Sequence, residues 1–261
     1  VPLIGSLKTL LLRGLLAGLI AGLLAATVGY FVGEPQVDAA IAIEEAAAAP
    51  AEHGHEAGEP QGHSHGDEDE PLVSRSGQKA GQFLALSLAG MAFGALFASA
   101  VNAARRFTTL SGAQLSLTTA VLAWAAIAAV PFFKYPANPP AVGDPDTIND
   151  RTWLWVAAVV LGLLAVAAAV AAYRAVAASD TLRLIAGVGA FVVVTTVGYV
   201  LMPGVNEVAD DFPATLLWNF RVASLAETTT LWVSLGLAFA ALTEFASRRS
   251  TPVVDKVPTA G

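Results

Sequence analysis

The 261-residue sequence has no cysteine and only two methionines, Met91 and Met202. Disulfides, thiolate zinc sites and iron–sulfur clusters are therefore excluded. A soft copper(I) site built on Cys and Met is disfavoured for the same reason. Charge is also scarce, with Asp, Glu, Lys and Arg making up 13% of the chain, against about a quarter in an ordinary soluble domain. Histidine occurs four times, always between positions 53 and 65. The apolar segments thus hold no imidazole and no nucleophile–base pair, which argues against an intramembrane enzyme. No G-x-x-x-x-G-K-[ST] phosphate loop is present, so nucleotide hydrolysis by that route is excluded. The expectation is a non-enzyme with no nucleic-acid partner and no resident cofactor. Any metal it handles must meet imidazole, carboxylate, amide or carbonyl ligands.

What is abundant is apolar residues, at 55% of the chain, with a mean hydropathy of +0.62. They fall in runs near the roughly 20 residues that carry a helix across about 30 Å of hydrocarbon. The Ala, Leu and Gly content favours helices over barrel strands, which would alternate over about ten residues. Six spans are predicted, at 10–32, 82–104, 113–133, 152–173, 182–202 and 216–245. The fold class expected is an all-α integral membrane protein, a bundle of about six transmembrane helices with a long disordered His-rich outer loop. It divides into an N-terminal segment with the first helix (1–33), a His- and acid-rich loop (34–81), a five-helix remainder (82–246) and a tail (247–261). The apolar run at 14–32 is longer than a signal-peptide core, so the first span is read as a retained anchor. The chain starts at Val1, which suggests processing or trimming before that residue. Gly14, Gly18 and Gly22 share one face of this span, a spacing that lets another helix approach, within or between subunits. A homo-oligomer is therefore one expectation, and membrane lipid is the obligatory neighbour.

Basic residues near span ends set the expected orientation. With the N-terminus inside, Lys8, Arg13, Arg105, Arg106, Arg174, Arg183, Arg248, Arg249 and Lys256 are cytoplasmic, nine of the fourteen Lys and Arg residues. Both termini are then cytoplasmic in a multi-pass protein of the plasma membrane. The carboxylates fall almost entirely on the outer face, where they would enrich cations or simply keep the surface soluble.

The first outer loop carries His53-Gly-His55 and His63-Ser-His65. Alternate side chains of an extended chain share a face, so each pair can offer two imidazoles to one ion. Asp67, Glu68, Asp69 or Glu70 could complete the shell, a donor set suited to Co²⁺, Ni²⁺ or Zn²⁺. The alternative is an incidental polar loop. The second outer loop holds Pro131, Pro136, Pro139, Pro140 and Pro145 and then Asp144, Asp146 and Asp150, which reads as a stiff lid ending in carboxylates. The third, with Asn206, Glu207, Asp210 and Asp211, is again bounded by proline. Together these hard oxygen ligands form a candidate vestibule for a divalent ion.

The sixth span is the unusual one. Arg221 lies near its outer end, and Glu227 lies eleven residues beyond Leu216, about 16 Å along the helix, which predicts a mid-membrane depth. Ser224, Glu227, Thr230 and Ser234 share one side. A carboxylate within a membrane is costly and should face the bundle interior or an aqueous path. It reads as an ion-coordinating or proton-coupling group, or as a protonated packing residue. The isolated Asn102, Gln114, Thr118, Thr119, Thr195 and Thr196 read as interhelical glue.

Two proline-containing blocks carry a resemblance. They are Lys134-Tyr-Pro-Ala-Asn-Pro-Pro-Ala-Val-Gly-Asp-Pro-Asp-Thr-Ile148 with Arg151-Thr152, and the stretch from Met202-Pro-Gly-Val-Asn-Glu to Asn219-Phe-Arg-Val-Ala-Ser-Leu-Ala226. With Arg13-Gly-Leu-Leu-Ala-Gly-Leu19 and the His-rich loop, the sequence resembles the CbtA family of probable cobalt transporter subunits. The resemblance implies a permease component that supplies cobalt for cobalamin synthesis in bacteria. It further implies a small single-span, His-containing partner, CbtB. The family is commonly described with five spans, whereas six are counted here. The resulting expectation is a permease subunit for cobalt, in which the His loop captures, the acidic loops guide, and the polar face of the sixth helix lines the path. A non-transporting metal-binding scaffold of a larger membrane complex is the alternative.

Overall fold

A computed structural model describes residues 3–48 and 73–249, and every regular element among them is helical. Helix α1 (Leu7–Val28) runs through a π-helical turn at Gly29–Gly33 into α2 (Glu34–Ala48). Helix α3 spans Arg75–Ala104. Helix α4 (Gly112–Trp124) passes through a second π turn at Ala125–Ala129 into the short α5 (Val130–Lys134). Then follow α6 (Ile148–Ala175), α7 (Asp180–Leu201) and α8 (Ala214–Arg249). Six helical stretches are long and apolar enough to cross a membrane. They overlap the six predicted spans, so among the described residues six helices, rather than five, have the length and apolarity to cross. The protein is a multi-pass membrane protein.

Serine sets several of the starts. Ser6, Ser74, Ser111 and Ser179 each accept a bond from a backbone N–H of the first turn of α1, α3, α4 and α7, satisfying donors that have no partner within the helix. Gln114, expected to join helices, instead returns its side chain to the backbone of Ser111 and closes a capping box.

The glycine face of α1 packs within the chain, against α3. A Cβ added at Gly14, Gly18 or Gly22 would collide with the backbone carbonyls of Gly94, Gly90 and Leu86 respectively. The two backbones therefore touch, as small residues permit. Around this seam Leu10, Phe97, Val101, Leu115, Leu235 and Phe239 form the buried core, with Phe97 and Phe239 edge to face at 5.4 Å. Helices α1, α3, α4 and α8 form this tight group. Helix α6 packs on the second π turn, where Gly162 meets the Ala126 carbonyl. Helix α7 packs mainly on α6, and only Gly187 on it is buried. Its apolar flank, including Val188, Val192 and Val193, is exposed and suits lipid.

The first long connection is more structured than the sequence suggested. The expected disorder from Gly33 to Gly81 gives way to helix over 34–48 and again from Arg75. The cause is charge pairing: Arg75 bonds Glu34 and, at 2.8 Å, Asp38, and Lys79 lies 2.8 Å from Asp38. An Ala-rich helix then has tertiary contacts to offset its ordering cost. The histidine segment itself, with His53, His55, His63, His65, Asp67, Glu68, Asp69 and Glu70, lies outside the described residues.

Candidate functional site

Two cavities lie toward the end of the bundle that carries the connections after α5 and α7. They adjoin different sides of α8. The first is a small space of about 200 Å³ among the first π turn, α2, α3 and α8, lined by Glu34, Gln82, Ser224 and Glu227 among others. Gly29 makes it possible, since a Cβ there would strike both the Glu227 carboxylate and the Gln82 amide. The π turn begins at this glycine. Such insertions widen one turn of a helix and recur at functional sites. The Glu34 side chain is only 11% exposed and belongs at once to this cavity and to the Arg75–Lys79 ion-pair cluster. The Gln82 Oε1 atom is buried without a hydrogen-bond partner. Two carboxylates, an amide and a hydroxyl thus border one space in the bundle. They form a hard-oxygen donor set.

The depth of Glu227 differs from the expectation. It packs at the level of Gly29, eleven residues from Gly18 and hence about 16 Å along α1. This is close to the end of the apolar run at Val32, not its middle. Helix α8 has 36 residues, far more than a membrane needs, so counting from its first apolar residue misjudges depth. Of the polar residues expected on its path, Ser224 and Glu227 meet in the cavity. Thr230 bonds back to the Ala226 carbonyl at 2.8 Å, and Ser234 is not among the lining residues. Thr229, which was not singled out, accepts the Trp124 indole N–H at 3.0 Å and ties α4 to α8.

The second cavity, about 880 Å³ and half open, lies between the two proline-rich connections and the start of α8. The connections are bolted together. Lys134 Nζ donates to the carbonyls of Tyr199 and Met202, both at 2.9 Å, and Tyr135 donates to the Pro203 carbonyl at 2.8 Å. Burial pushes the Tyr135 hydroxyl pKa up. Glu207 is the central clamp. Its Oε1 accepts from Thr147 Oγ1 at 2.6 Å, and its Oε2 accepts from the Asp144 N–H at 3.2 Å and faces Arg151 Nη1 at 3.3 Å. Arg151 also donates to the Asp144 carbonyl at 3.1 Å. Gly143, at φ +116°, leaves room for that guanidinium where any Cβ would collide with it. Arg221, from α8, donates to Asn138 Oδ1 at 2.8 Å.

The vestibule residues therefore divide. Glu207 has both oxygens engaged, and Asp144 Oδ1 accepts the Asp146 N–H at 2.9 Å to start its own turn. Asp146, Asp150, Asp210 and Asp211 are exposed and make no ion pair among the described residues. Asn206 and Arg221 line the large cavity, but among the described residues no carboxylate does. Among the described residues no three His, Asp or Glu side chains converge closely enough to hold a metal ion. Sequence reasoning missed Glu34 and Gln82, which sit where apolar span meets polar loop. It also passed over Asn138 and Arg151, whose only signal was their place in the proline block.

No curated protein and no solved structure matches the chain. The family model described as a probable cobalt transporter subunit matches residues 7–244, nearly the whole length and both proline blocks, and the chain belongs to this family, CbtA.

Proposed function

We propose that the protein is the membrane permease subunit through which cobalt, or a related divalent metal such as Ni²⁺ or Zn²⁺, enters the cell. The observation that carries this reading is the cavity shared by Glu227, Glu34, Gln82 and Ser224 at the junction of the first π turn, α2, α3 and α8. Carboxylates facing a bundle interior mark ion pathways more often than packing. Oxygen donors alone bind a transition ion weakly enough to release it. His53, His55, His63 and His65, with the acidic run Asp67 to Glu70, act as the capturing segment. Exposed Asp146, Asp150, Asp210 and Asp211 raise the local cation concentration beside it. On this reading the acidic connections face outside, both termini lie in the cytoplasm and the chain sits in the plasma membrane. The subunit description in the family name supports an assembly partner, for which a small single-span CbtB-like protein is the candidate.

The test is cobalt uptake by cells expressing the wild type, E227Q or E34Q together with the partner. Both variants are expected to take up cobalt at least tenfold more slowly at wild-type membrane abundance. Wild-type rates in both would return these carboxylates to packing. The scaffold reading is favoured by one observation, the lack of three convergent metal-ligating side chains among the described residues. It predicts metal binding without passage across the bilayer.

A further inference from the structure

The large cavity has the wrong electrostatics for a cation. None of Asp144, Asp146, Asp150, Glu207, Asp210 and Asp211 lines it, whereas Arg151 and Arg221 both do. Arg151 is offset by Glu207. Arg221 is not: among the described residues it bonds only the neutral Asn138 amide and faces no carboxylate within ion-pair distance. A partly buried guanidinium without a counter-charge is expensive to keep. In addition, the Nε atoms of both arginines are buried and have no hydrogen-bond acceptor, although buried donors are nearly always paired. Arg221 thus lacks a counter-charge at the cavity wall, and each of the two guanidinium groups keeps a buried N–H without an acceptor. The remaining wall includes Trp155 and Leu217, which suit an apolar or compact body, and Asn206 adds an amide. The volume of about 880 Å³ lies within the range of small-molecule sites.

We propose that this pocket binds an oxyanion, a carboxylate or phosphate group held by Arg221 and Arg151 between the two proline-rich connections and α8. Guanidinium forks match such planar or tetrahedral oxygen sets through paired, charge-assisted bonds. The oxyanion belongs either to a small organic acid or phosphate in solution or to the headgroup of an anionic lipid. The acidic exterior and the basic pocket are thus separate devices, and the site does not depend on the route taken by the metal.

The full-length protein, purified in a neutral detergent without metal, is titrated calorimetrically with citrate and with inorganic phosphate. Thermal unfolding is then measured in nanodiscs of phosphatidylcholine with and without phosphatidylglycerol. Saturable binding of either free anion, weakened at least tenfold by R221Q and unaltered by R248Q, assigns the site to a solute. Arg248 carries the same charge but pairs with Glu244 near the far end of α8. If neither free anion binds but phosphatidylglycerol raises the unfolding temperature of the wild type and not of R221Q, the oxyanion is a lipid headgroup. R221K, which keeps the charge without the fork, replaces R221Q should that variant fail to fold, with at least threefold weakening expected. Equal responses of wild type and variant to both anions and to the lipid would overturn the proposal.

Discussion

At the scale of single residues, the division of labour among carboxylates follows from their partners. Glu207 holds two connections together, so E207A should destabilise the protein through loss of charged hydrogen bonds. A cost of about 1–2 kcal/mol is expected, since the side chain is only partly solvent-screened. A thermal melt in detergent reads this as a lower midpoint, whereas Asp210→Ala, on an exposed side chain outside any helix, should leave the midpoint unchanged. The sequence made Glu207 visible as one of several acids, and it could not tell a clamp from a ligand. That distinction requires knowing that Asp144 and Thr147, from the connection before α6, and Arg151, from its first turn, approach across some sixty residues of sequence. Glu227 was legible because a carboxylate in an apolar run stands out. Glu34 was not, because a carboxylate at the end of a span looks like ordinary loop.

At the scale of elements, the α1–α3 seam is the tightest contact. Gly18→Val would drive a branched side chain into the Gly90 backbone, which cannot move aside cheaply. A loss of about 1–3 kcal/mol is expected from overpacking, seen as lower yield of folded protein and a lower melting midpoint. Gly189→Ala is the matched control on α7, where a Cβ would meet nothing within 4 Å. That substitution should be neutral or stabilise by up to about 1 kcal/mol. The six helices were legible from apolar length alone, and the glycine spacing announced a close approach. Its partner was not legible, because Gly90 and Gly94 offer the same small-residue pattern as many membrane helices. The π turn at Gly29–Gly33 had no sequence signal, and it opens space where Glu227, Gln82 and Glu34 meet.

At the scale of the whole molecule, the proposed uptake route makes the histidine segment the first group the metal meets. Replacing His53, His55, His63 and His65 with Ala should raise the half-saturating cobalt concentration several-fold while leaving the maximal rate intact. Uptake curves with an unchanged half-saturation would remove the histidine segment from the capture role. The proline blocks were recognisable as family signatures, yet their physical purpose emerges only from the folded arrangement, which bolts two connections over the start of α8. On the proposed function, metal crosses the bilayer through this chain. Its most direct test is radiolabelled cobalt accumulation in sealed proteoliposomes containing the purified protein, with and without the CbtB-like partner. Time-dependent accumulation above protein-free vesicles is expected in at least one of the two preparations, reduced at least tenfold by E227Q. Cobalt that binds to the vesicles but never enters the lumen, in both preparations, would contradict it.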